Sequence, residues 1–130
     1  MFFIYNIFLL IIFLISPIIL IIRIFLGKED KIRFKEKFCL FSKKNYVNGT
    51  IWFHGASVGE ILSIIPIVER FEKDNKIKKI LITSSTTSSS YILSKYKFKK
   101  TIHQFYPFDL NIFTKLFINY WKPRLAIFVD

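Results

Sequence analysis

Residues 1–22, MFFIYNIFLLIIFLISPIILII, carry no charged side chain, and every Lys, Arg, Asp and Glu lies from Arg23 onward. A chain divided in this way does not fold as one evenly mixed globule. Written as a helix at about 1.5 Å per residue, the first segment reaches about 33 Å, enough to cross a bilayer core. A secretory leader is the competing reading. Leaders open with positive side chains and end in a small-residue cleavage site, whereas this segment opens on the α-amino group alone and runs into IILIIRIF. The pattern predicts a membrane anchor over 1–22. Arg23, Lys28, Lys31, Arg33, Lys35 and Lys37 follow it, so the positive-inside rule puts the following residues on the cytoplasmic side. Pro17 is expected to kink the helix or to end it one residue earlier. A segment that spans and one that dips into a single leaflet both remain open.

Residues 23–49 read as a basic, amphipathic connector. EDKIRFKEKFCLF sets Ile32, Phe34, Phe38 and Phe41 among charges. Such a helix suits a membrane surface, apolar side down, or the flank of a packed domain. SKKNYVNG then reads as a loop closed by Asn48-Gly49.

From Thr50 short apolar runs alternate with amphipathic ones. TIWFH, KKILIT, TIHQFYP and RLAIFVD are strand candidates. EILSIIPIVERFEKD places Ile61, Leu62, Ile64, Ile65, Val68 and Phe71 at helical spacing, with Pro66 a possible bend. TSSSYILSKYK and DLNIFTKLFINYW are further helices, the latter with Asp109 as the expected N-cap. Strands alternating with helices predict an α/β fold, a Rossmann-like parallel sheet over 50–130 with strands buried on both faces. Ligands of such sheets bind at the C-terminal ends of the strands. The loops of interest are therefore GASVGE, SSTTSSS, PFD and the end of the last strand at Asp130. A strand closing on an acid and then ending predicts a truncated chain, a split gene product or a fragment.

The formal charge of +11 raises a nucleic-acid reading. The lysines are scattered and not gathered into a stripe with interleaved aromatics, so no nucleic-acid partner is expected. A basic surface beside an apolar segment fits anionic membrane lipids better. The single cysteine, Cys39, cannot form an internal disulfide. His54 and His103 stand far apart without Cys partners, so no metal site is expected.

Ser57-Val58-Gly59-Glu60 fits a capping box, the Ser57 hydroxyl accepting from the Glu60 N–H and the carboxylate reaching back to Ser57. The same residues admit chemistry. Gly55 and Gly59 allow close approach to the backbone, and Gly55, Ala56, Ser57, Val58 and Gly59 present N–H groups at a helix start, where anions bind. A carboxylate here is placed to take a proton from an attacking hydroxyl. The helix N-terminus lowers its pKa, and burial or an incoming apolar substrate raises it again. The segment is neither the dinucleotide fingerprint nor a P-loop. Ser84, Ser85 and Thr86 of the serine-rich loop offer hydroxyls for sugar or phosphate, or simply cap the next helix.

IWFHGASVGE, LITSSTTSS, HQFYPFDL and WKPRLAIFVD, in that order, together with the apolar start and GKEDKIRFKEKF, resemble the N-terminal domain of the 3-deoxy-D-manno-octulosonic acid (Kdo) transferases. The resemblance implies a GT-B glycosyltransferase with two Rossmann-like domains. It implies Kdo transfer from CMP-Kdo to the lipid A precursor in lipopolysaccharide biosynthesis, with inversion and with no cofactor or metal in the transfer step. The site is the cytoplasmic face of the inner membrane. Glu60 takes the position of the family's general base. Asp130 takes that of the first acid of an acid-x-Glu-x-Trp-Pro motif. The C-terminal domain, which holds most of the CMP-sugar, becomes a partner required in cis or in trans. The alternative is a non-catalytic, membrane-anchored binding or assembly module, a remnant of such an enzyme.

Overall fold

A computed structural model describes residues 2–41 and 48–130. The predicted loop SKKNYVNG lies outside the described residues up to residue 47. At its end Gly49 adopts φ +80°, the left-handed conformation that glycine adopts without strain. The chain forms two compact units, Met1–Lys31 and Ile32–Asp130.

The first unit is dominated by one helix, α1 (Phe2–Phe25). Its residues Ile4–Phe25 have a mean hydropathy of 3.0 and are long and apolar enough to cross a membrane. Pro17 lies inside α1 and does not end it, contrary to one of the two expectations. Proline leaves the carbonyl four residues earlier without its N–H partner, here Phe13. The Ser16 hydroxyl donates to that carbonyl at 2.9 Å, which meets the deficit locally. In the last turn of α1, Arg23 Nε pairs with Oε1 of Glu29, which follows the helix, at 2.9 Å.

The second unit is the expected α/β layer structure. β1 (Thr50–Gly55), α2 (Val58–Lys73), β2 (Ile80–Ser84), α3 (Thr87–Ser94), β3 (Thr101–Phe105), α4 (Asn111–Trp121) and β4 (Pro123–Val129) follow in sequence. The four strands form one sheet in the order β3-β2-β1-β4, every neighbouring pair parallel. Alternation along β1 sorts the core into two layers. Phe53, Ile80 and Ile82 pack with Ile61, Ile64, Ile65 and Val68 of α2 and Leu93 of α3. Trp52 and Leu81 point the other way, onto Phe117 and Trp121 of α4 and onto Cys39. Each fully buried Leu, Ile, Val or Phe contributes roughly 1.5–3 kcal/mol, which holds the helices to their faces. Pro66 sits in α2 on its exposed side, where water can serve the carbonyl that proline leaves unpaired.

Three local expectations fail. The last helix starts at Leu110, without a side-chain cap, and Asp109 stands one position outside it. β4 is not buried on both faces, since Leu125 and Phe128 are 49% and 55% exposed. It is an outer strand, with β1 as its one neighbour.

The third departure concerns the connector. Its EDKIRFKEKFCLF stretch forms only a short 3₁₀ helix, Arg33–Phe38, with Ile32 exposed and Glu36 buried. The reason lies at the free edge of β3. In that strand His103 and Phe105 turn their backbone groups away from β2, toward what would be an open edge. The Glu36 carboxylate accepts from the Phe105 N–H at 3.0 Å. The Arg33 guanidinium donates to the His103 carbonyl at 2.9 Å and holds Glu36 at 2.9 and 3.0 Å. A charged pair thus replaces the missing strand and closes the edge.

Candidate active site

The chain runs outward through β1, β2 and β3, then crosses back through α4 to set β4 on the other side of β1. The order therefore reverses between β1 and β4, and the crevice outside their C-terminal ends is where such sheets bind ligands. His54, Gly55 and the start of α2 come from one side of it, Val129 and Asp130 from the other.

Glu60 lies in the first turn of α2, half-exposed. The predicted capping box is present: Ser57 Oγ accepts from the Glu60 N–H at 3.3 Å, and Glu60 Oε2 accepts from the Ser57 N–H at 3.4 Å. The carboxylate does more than the box requires. Oε2 also accepts from the Ala56 N–H at 2.6 Å, and Oε1 from the Ser57 hydroxyl at 2.8 Å. The Ser57 hydroxyl, then the Ala56 N–H, hold its pKa below the ordinary carboxylate value, and His54 adds to the effect through its charge.

The glycines divide. Gly55 is buried, and a Cβ there would stand 3.1 Å from Glu60 Cβ and 3.2 Å from Ile61 Cδ1. Its missing side chain lets β1 hand over to α2 at close range. Gly59 is exposed, and the nearest atom to a Cβ there is Ser57 Oγ at 4.0 Å. Ala56 and Ser57 are exposed and Val58 half-buried, so the loop is open to the crevice.

In the serine-rich loop the candidates separate further. Ser84 is fully buried, and its hydroxyl meets His103 Nε2 at 2.7 Å. Arg33 Nη2 lies 3.1 Å from the other ring nitrogen, His103 Nδ1. Ser84 is thus tied into the β3-edge clamp and away from open solvent. Thr86 is the N-cap of α3, accepting from the Ser89 N–H at 3.3 Å. Ser85 is half-exposed, and Asp130 is exposed directly after β4.

Hollows of about 740 Å³ beside Pro66, Ile67, Arg70 and Asp74, about 200 Å³ beside Arg33, Ser90 and His103, and about 440 Å³ beside Glu72, Lys97 and Phe98 lie elsewhere, and none of the three includes Glu60.

Sequence reasoning passed over His54, the motif residue at the end of β1. Its Nδ1 lies 2.9 Å from Thr83 Oγ1, and its ring packs on Tyr106 and Phe128 at centroid distances of 4.2 and 5.4 Å. The Arg33–Glu36 clamp was missed as well. The available signals were a histidine at a strand end otherwise made of apolar residues, and opposite charges three residues apart.

Fold and site together define the class: a Rossmann-like parallel sheet whose switch point carries a glycine-flanked Ser-x-x-Glu helix start. A family described as 3-deoxy-D-manno-octulosonic-acid transferase (kdotransferase) matches residues 32–130. The chain belongs to this family. It is 42% identical over 121 residues to the 3-deoxy-D-manno-octulosonic acid transferase of Rickettsia bellii, covering 91% of this chain and 29% of that protein. The transferase of Chlamydophila psittaci is 34% identical over 98% of this chain and 30% of its own length. A probable mitochondrial 3-deoxy-D-manno-octulosonic acid transferase of Arabidopsis thaliana is 29% identical over 80% of this chain and 23% of its own. The chain spans less than a third of the length of these relatives. No solved structure matches it.

Proposed function

We propose that this chain is the acceptor-side domain of a Kdo transferase, working with CMP-Kdo as donor and the lipid A precursor as acceptor. The observation that carries the reading is the position of Glu60: a half-exposed carboxylate at the β1/β4 switch point, inside the segment that matches the family. The acceptor hydroxyl attacks the anomeric carbon of Kdo. The new C–O bond forms as the bond to CMP breaks, CMP leaves with the electron pair, and the hydroxyl proton passes to Glu60. The lowered pKa keeps Glu60 ionised and ready to accept. Substrate that displaces water from the crevice shifts that pKa upward and strengthens the base. The residues that hold most of the donor are supplied by a C-terminal GT-B domain, in cis or from a second chain. The apolar α1 and the basic residues after it suit a protein that meets a glycolipid at the cytoplasmic face of the inner membrane.

A second reading has its own observation. Both Glu60 oxygens already serve the start of α2, as in a module that binds and anchors without catalysis. Mixing the chain with a separately expressed C-terminal domain of a relative, CMP-Kdo and lipid A precursor separates the two. Kdo transfer that disappears in Glu60→Gln supports the enzyme. Acceptor binding without transfer in any combination supports the module.

A further inference from the structure

The residues at one level of the sheet, on the face that carries α4, form a row across all four strands. Gln104 pairs with Thr83, Thr83 with His54, and His54 with Phe128. Three of the four are polar, in a layer otherwise made of Trp52, Leu81, Phe117 and Trp121. His54 is the member of the row that stands at the switch point, half-buried.

The hydrogen bonds anchor one edge of its ring. Thr83 Oγ1 accepts from Trp52 Nε1, which can only donate, at 2.8 Å. His54 Nδ1 lies 2.9 Å from the same oxygen, a contact met either by an Nδ1–H donating to Thr83 or by the Thr83 hydroxyl donating to Nδ1. Nε2 has no protein hydrogen-bond partner among the described residues. Tilted contacts with Tyr106 and Phe128 flank the ring. The titratable groups around it are Glu60 from α2, whose charge it senses, and Tyr106 after β3, with Asp109 beside Tyr106. β2 and β4 bring Thr83 and Phe128, which do not titrate. Burial holds the His54 pKa below its ordinary value, which favours the neutral ring.

We propose that His54 is a second substrate-facing group of this crevice: its Nε2 hydrogen-bonds a hydroxyl of the acceptor sugar and so orients the hydroxyl that Glu60 deprotonates. This rests on the acceptor-side reading given above. It assigns His54 a positioning role through a direct contact with sugar, with no proton transferred to the ring.

The test uses the detergent-solubilised chain with its histidines labelled with nitrogen-15. On addition of lipid A precursor the His54 Nε2 resonance is expected to shift, and an Nε2 resonance that does not move overturns the proposal. His54→Asn keeps an amide opposite Thr83 and removes the outer atom. It is expected to weaken acceptor binding about threefold to tenfold. His54→Gln, which restores a polar atom near the Nε2 position, is expected to recover part of the loss. Thermal unfolding checks that both variants fold, and if they do not, the Nε2 resonance of the natural chain decides. His54→Asn binding with unchanged affinity removes His54 from the site and leaves the acceptor-side reading intact. A natural chain that does not bind the acceptor overturns that reading, and this proposal with it.

Discussion

Glu36 is the residue whose removal tests the architecture most sharply. Its carboxylate is 1% exposed and holds Arg33, whose side chain is 23% exposed. It also takes the Phe105 N–H on the open edge of β3. Glu36→Ala leaves a partly buried guanidinium without this carboxylate and removes the carboxylate acceptor from a buried N–H. Breaking a buried pair at one partner removes about 3–5 kcal/mol, with water relieving some of that at Arg33. Loss of the N–H bond removes about 1–3 kcal/mol, and the two losses overlap because they share one side chain. The expected net loss is about 3–4 kcal/mol, a large share of the stability of about 5–15 kcal/mol of an ordinary domain. Glu36→Gln keeps an acceptor for Phe105 and one bond to Arg33, and is expected to lose about 1–2 kcal/mol. The double variant Arg33→Met with Glu36→Leu removes both charges and is expected to recover the part of the loss due to the unpaired guanidinium, but not the part due to the Phe105 N–H and His103 carbonyl that the pair serves. Urea unfolding followed by tryptophan fluorescence reads the second unit alone, because both tryptophans of the chain, Trp52 and Trp121, are buried in its core. With a urea dependence of about 1.5 kcal/mol per M, the Glu36→Ala midpoint falls by about 2 M. A loss below about 1 kcal/mol for Glu36→Ala refutes the view that this pair closes the sheet.

Three further outcomes follow from the site. Gly55→Ala places a methyl 3.1 Å from Glu60 Cβ and 3.3 Å from the Ile61 backbone nitrogen, and is expected to lose about 1–3 kcal/mol in the same urea assay. The folded pKa of Glu60 lies below its ordinary 4.5. Its contribution to stability is therefore complete above about pH 4.5 and is lost as the pH falls through the folded value, so Glu60→Gln is less stable than the natural chain at pH 7 and converges with it as the pH falls through that acid window. Burial pushes the Cys39 thiol up to about 11, so alkylation at pH 8 is expected to be slow in the native chain and fast in urea, as read by mass spectrometry.

The parallel order of strands and helices was legible because the strands are short apolar runs and α2 carries its apolar residues at helical spacing. The capping box was legible for the same local reason: Ser57 and Glu60 act within one turn. What local pattern does not carry is the partner of a side chain distant in sequence. Glu36 reads as one more surface charge until β3, some seventy residues away, is seen to need an edge. His54 reads as part of a strand until Thr83, itself held by Trp52, is seen to anchor its ring. Asp109 was misplaced as a cap because Asp is common there, whereas the turn linking the Leu110 N–H to the Phe108 carbonyl at 2.8 Å sets the helix start one residue later.

The central claim is that Glu60 serves the substrate as well as its own helix. The direct measurement replaces the matching segment of the Rickettsia bellii transferase with this chain and follows Kdo transfer from CMP-Kdo to lipid A precursor. Ser57→Ala weakens the cap by about 1 kcal/mol and is expected to keep activity within about tenfold. Glu60→Gln, folded to a similar degree, is expected to lose about 10²–10⁴ in kcat. Equal activity losses in the two variants, tracking only their loss of stability, would contradict the account and leave Glu60 as a helix cap alone.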